Sequence, residues 1–105
     1  MSVWHFKKGK GKEAFLELDL ILSTLAHHTE GFRGSISLLS NKDPNSATIL
    51  TLWVDEEALN RSEKEVFAQA VQKVQDLLDM PPEVENHIVF STELFQRQQW
   101  PFRWG

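Results

Sequence analysis

Residues Ser46 to Leu59, SATILTLWVDEEAL, decide the fold. In an extended chain Ala47, Ile49, Thr51 and Trp53 fall on one face, and Thr48, Leu50, Leu52 and Val54 fall on the other. Both faces are largely apolar, so the pattern predicts a central strand covered on both sides. Asp55 follows at once as an N-cap, with Glu56 and Glu57 in the first turn, where the helix dipole favours carboxylates. A large indole therefore stands at the end of a central strand, where a helix turns away.

Upstream, Asn41 to Asn45 (NKDPN) is dense turn chemistry and joins this strand to another at Ser35 to Ser40 as a hairpin. Lys12 to His28 carries helical spacing, with Phe15, Leu18, Leu22 and Leu25 three and four apart. Leu16 and Leu20 widen that stripe, and Gly31 stops the helix. Ser2 to Lys7 alternates Val3, His5 and Lys7 against Trp4 and Phe6, which predicts a first strand. The KKGKGK segment between them lacks the glycine, lysine and hydroxyl order of a phosphate-binding loop and reads as a solvated basic turn.

Downstream, a short helix is expected to about Leu59. Ser62-Glu63-Lys64-Glu65 then matches a capping box and predicts a new, longer helix. Its inner face is Val66, Phe67, Ala70, Val71, Val74, Leu77 and Leu78, and Pro81-Pro82 ends it. Glu85 to Glu93 alternates His87, Val89 and Ser91 against Ile88, Phe90 and Thr92, which predicts a fourth strand.

The order β-α-β-β-(α)α-β defines an α+β, ferredoxin-like antiparallel sheet with helices on one face and strand order 4-1-3-2. Helices cover only one side of such a sheet. The apolar residues left on the other side make a patch too large for a monomer, so a homodimer pairing two sheets face to face is expected. Residues 1–94 form this domain. The tail, 95–105, carries Phe95, Trp100, Phe102 and Trp104 and is expected to pack on the domain or on the partner subunit.

The totals set further limits. A chain of 105 residues is one domain, and its net charge of −4 argues against general affinity for nucleic acid or for an acidic membrane surface. The absence of cysteine excludes disulfides and thiol chemistry. No apolar run approaches the ~20 residues that span a bilayer, and no signal peptide is visible, so a cytoplasmic protein is expected.

The stretches GKEAFLELDLILSTLAHHTEGFRGSISLL, ATILTLWVDEEAL and VFAQAVQKV resemble the antibiotic biosynthesis monooxygenase (ABM) family. The matching features are the Gly11-Lys12 turn before the first helix and the Gly31-Phe32-Arg33-Gly34 turn after it. A third is the strand that ends in Trp53 with an acid and Ala-Leu beyond. The resemblance implies a dimeric α/β barrel with an apolar cavity between sheet and helices. It also implies oxygenation of a small aromatic or quinol without a cofactor.

In quinone-forming members, the strand tryptophan works with an asparagine four residues before it and a tyrosine six after it. Those positions are Ile49 and Leu59 here. The histidine that ligates iron in haem-degrading members falls at about Val71, which cannot bind metal, so haem degradation is not expected. His5 and His87 without a nearby carboxylate make a poor site for another metal, and no cofactor is expected.

On this reading Trp53 orients the ring, or is plain core. Phe67 adds a further substrate contact, and Arg33 meets a substrate carboxylate or an acid of the partner chain, or is a plain surface arginine. His5, His87 or His28 assists proton removal; the alternative is two partly exposed strand histidines and a helix-end histidine complementing the dipole. A non-catalytic homodimeric module, binding a small molecule or another protein, is the competing function.

Overall fold

The computed structural model describes residues 1–89 and 91. The chain runs β1 (Ser2–His5), α1 (Gly11–Leu25, tightened by a 3₁₀ turn at Ala26–His28), β2 (Phe32–Leu39) and β3 (Ser46–Trp53). A helical run follows: α2 (Glu56–Ser62), a π-helical turn (Glu63–Phe67) and α3 (Ala68–Val74). After a 3₁₀ turn at Gln75–Leu77 comes β4 (Glu83–Val84). The sheet order is β2-β3-β1-β4, every neighbouring pair antiparallel. This is the expected order read from the opposite edge, with β1 and β3 in the centre.

Register explains the core. Trp4 pairs with Ala47 and Ser2 with Ile49, so these side chains share the face beneath the helices. Trp4, Ala47 and Ile49 are buried there against Leu18 and Leu22 of α1 and Ala70 and Val74 of α3. The same pairing sends Val3, Ile36, Leu38, Thr48, Leu50 and Leu52 to the other face. No element of the described chain covers that face, and Ile36 and Leu38 remain 39% and 48% exposed.

Local chemistry sets the corners. The Asp55 carboxylate accepts from the Ala58 N–H at 2.8 Å, which satisfies one orphan donor of α2 as expected. Gly31 holds a φ of +91°, and a Cβ there would lie 2.6 Å from the Ala58 Cβ. Only glycine lets the turn after α1 pass so close to α2. At the far end of the sheet, the Asn45 side chain accepts from the Gly11 N–H at 3.2 Å. A Cβ on Gly11 would run into the carbonyl oxygen of Pro44, so the start of α1 lies directly against the β2–β3 hairpin tip.

Three expectations need correction. The fourth strand is Glu83–Val84 rather than Glu85 to Glu93. It pairs Glu83 with Val3 and Val84 with Ser2, and Glu85 N–H still donates to Met1 O at 2.8 Å. Residues 86–89 alternate in sequence but take no part in the sheet. Phe90, Thr92 and Glu93 lie outside the described residues, as does the aromatic tail.

Ser62 does not cap a new helix either. It sits in the α-helical region without a side-chain cap bond, and the helix runs on through it into the π turn. Its hydroxyl donates instead to Leu59 O at 2.6 Å. Lastly, Arg33 belongs to β2 rather than to the preceding turn, beside the register shift between Phe32 and Gly34.

Candidate functional site

A cavity of about 50 Å³, partly open to solvent, lies between the central strands and the helices. β1 contributes Ser2 and Trp4, and β3 contributes Ile49, Thr51 and Trp53. Leu22 of α1 closes one side; Ser62, Val66, Phe67 and Ala70 of the second helical run form the roof. A water molecule occupies about 30 Å³ of liquid, so the cavity as it stands takes a few heavy atoms rather than a whole ring. A wider hollow of about 440 Å³ lies over Glu56, Glu57, Asn60, Arg61 and Lys64. It is an open dip between charged side chains on the outside of α2 and lacks the apolar walls that hold a small molecule.

The roof owes its shape to the π turn. The Ala68 N–H bonds to Glu63 O, five residues back, which inserts one extra residue into the helix. Val66 and Phe67 come from that widened turn, and both face the cavity. Phe67 also packs on Trp4, with ring centroids 5.5 Å apart. Trp53 meets Phe32 edge-on at 5.3 Å. Aromatic contacts of this geometry hold the rings in defined orientations.

Each indole has its N–H satisfied on its own strand. Trp4 Nε1 donates to Ser2 Oγ at 2.8 Å, and Trp53 Nε1 donates to Thr51 Oγ1 at 2.9 Å. In both cases the acceptor is two residues earlier, the spacing that places side chains on the same face of a strand.

Of the residues singled out in the sequence, Trp53 and Phe67 line the cavity together. The others do not reach it. His5 lies on the outer face of the sheet, with Nε2 3.5 Å from Glu83 Oε2. His87 is exposed and its Nε2 lies 3.2 Å from Glu85 Oε2. His28 is exposed at the end of the 3₁₀ turn, where its neighbour His27 packs edge-on against Phe32 at 5.1 Å. Arg33 is exposed on β2.

No lining side chain titrates near neutrality, and the described residues hold no cluster of three or more histidines and acids arranged for a metal ion. Ile49, four residues before Trp53, is an apolar cavity wall, and Leu59, six after it, is apolar and does not line the cavity. Sequence reasoning missed Ser2, Trp4, Thr51 and Ser62 as cavity residues. The signal for three of them was present: a hydroxyl and a tryptophan two apart, once in each central strand.

No protein-family model matches the chain, and no curated protein matches it. Solved structures do. A protein of unknown function from Nitrosomonas europaea superposes with a TM-score of 0.74 at 19% identity, covering 89% of this chain and 88% of that one. A second Nitrosomonas europaea protein, provisionally assigned as an antibiotic biosynthesis monooxygenase, gives 0.69 at 18% identity over 88% and 89%. A point mutant of SnoaB, a cofactor-independent oxygenase from Streptomyces nogalater, gives 0.64 at 17% identity over 95% and 92%. The chain thus has the ferredoxin-like α+β fold of ABM-like structures. No helix among the described residues is long and apolar enough to cross a membrane.

Proposed function

We propose that the chain is a homodimeric protein of the ABM group that binds a small apolar or aromatic molecule in the cavity under its helices. The observation that carries this reading is the cavity wall itself: two tryptophans and Phe67 around a partly open space, with hydroxyls as its polar groups and no general base. Dimerisation is supported by the uncovered face of the sheet, where Ile36 and Leu38 stand beside Leu50 and Leu52. Joining two such faces buries them without further elements. A ring can enter only if Phe67 or Trp53, both half-buried, turns outward.

A second reading, a cofactor-independent monooxygenase of quinols, is favoured by one observation: Trp53 ends its strand at the cavity, in a fold shared with SnoaB. Catalysis then needs a proton acceptor that the cavity wall lacks, supplied by the partner subunit or by the substrate's own ionisation.

Oxygen consumption with a panel of hydroquinones and anthrones, alongside tryptophan fluorescence, separates the two. Fluorescence changes without oxygen uptake are expected for the binding protein. Uptake that is lost in Trp53→Phe and retained in His5→Ala would establish the oxygenase instead. No response of either kind would remove the cavity as the functional site.

A further inference from the structure

Four inner-face side chains form a line across the two central strands. Ser2 stands opposite Ile49, so Thr51 is its diagonal neighbour, a relation that sets strand positions about 7 Å apart. The two hydroxyls occupy the middle of the line, and the two indoles lie outside them. Each indole N–H points inward to its hydroxyl, at 2.8 Å for Trp4 to Ser2 and 2.9 Å for Trp53 to Thr51.

A hydroxyl has one hydrogen and two lone pairs, and an incoming N–H takes one lone pair and keeps the hydrogen off that side. Here one lone pair on each oxygen is engaged by an indole, so each hydrogen is directed away from its tryptophan. Among the described residues neither hydrogen has an acceptor. Ser62, the third hydroxyl of the cavity, is different: its hydrogen is already donated to Leu59 O at 2.6 Å. Around the Ser2–Thr51 pair the walls are Ile49, Val66, Phe67 and Ala70.

We propose that Ser2 and Thr51 form a two-hydroxyl donor site for the carbonyl or phenolate oxygen of an otherwise apolar ligand, with Trp4 and Trp53 as positioning residues for those donors. The volume agrees with this division of labour. About 50 Å³ admits the oxygen-bearing end of a molecule, while its apolar body meets the half-buried rings of Phe67 and Trp53. The site rests on the reading of the cavity as a ligand site, but it requires no turnover. Ligands that carry only donors are disfavoured, because they leave both hydroxyl hydrogens unpaired.

Acetophenone and ethylbenzene serve as matched probes, alike in shape and differing in the carbonyl oxygen. Binding to the full chain is followed by NMR shift perturbation, and the carbonyl stretch of bound acetophenone by infrared difference spectroscopy. Acetophenone is expected to bind about fivefold or more tighter than ethylbenzene, the gain of one to two hydrogen bonds. Its carbonyl stretch should fall to lower wavenumber. Thr51→Val should weaken that preference and the spectral shift while leaving ethylbenzene binding in place. The Thr51→Val, Ser2→Ala double variant should erase both, and Thr51→Ser should keep both.

Should Thr51→Val fail to fold, Ser2→Ala carries the same test. Equal affinity for the two probes in the unmodified protein overturns the donor site and leaves the cavity standing. Binding of neither overturns both. An acetophenone preference that survives Thr51→Val and Ser2→Ala together overturns the assignment to these hydroxyls.

Discussion

Gly31 is where a single atom decides between fit and collision. Its φ of +91° is one that side chains resist, and its missing Cβ is the space that Ala58 uses. Replacement by alanine adds left-handed strain to overpacking, so Gly31→Ala should lose roughly 2–4 kcal/mol, read as a lower urea midpoint at unchanged slope. The glycine was legible as a helix stop; the partner that demands it was not, because Ala58 is 27 positions away and its approach depends on the helix after β3.

The histidines carry a related lesson. Strict alternation in β1 already set His5 on the face opposite Trp4, and Trp4 is the buried member of that pair, 2% exposed. The face was readable from the letters. Which face held the cavity required the helices to be in place.

Among the elements, the strands rich in β-branched and aliphatic residues were the most legible, since period-two patterning and the turn residues at Asn41–Asn45 point the same way. Asp55 was equally clear, and its cap is formed as written. Asp55→Ala should cost about 1 kcal/mol, visible as a reduced melting temperature with little change in helical circular dichroism.

The second helical run was less readable. Ser62-Glu63-Lys64-Glu65 has the spacing of a capping box, but the same residues suit a continuous helix, and the helical backbone at Ser62, with its hydroxyl turned back to Leu59 O, shows the second. A π turn leaves no compositional trace, because it arises from one residue more than regular packing needs. β4 was hard to read for another reason: alternation shows that a segment can be a strand, whereas a ladder also needs a partner, and β1 pairs with Glu83 and Val84.

For the molecule as a whole, the consequence is an association that the face beyond the helices favours. Ile36 and Leu38 on β2 are its exposed apolar centre, beside the half-buried Leu50 of β3. A dimer built on it links folding to assembly, so the thermal midpoint should rise with protein concentration. Leu38→Glu places a charge within that surface and is expected to halve the mass measured by light scattering and to abolish the concentration dependence. A native chain that scatters as a monomer across the micromolar range would remove the dimer. The fold itself was legible because three strands, the helices between them and the strand order follow from pattern and handedness, even with β4 placed two residues late. The cavity was not, because its walls come from both central strands, α1 and the second helical run, and no local pattern says how closely those meet.

The seam between Gly11 and Pro44 bears on how this scaffold can be altered. An exposed hairpin tip is ordinarily where a peptide epitope, a dye-bearing residue or a grafted loop is best tolerated. Here the backbone at Pro44 touches the first residue of α1, so added length at the tip acts as a wedge beneath that helix. Grafts placed between Asn41 and Asn45 should therefore be felt along the whole of α1, down to Leu22 at the cavity wall.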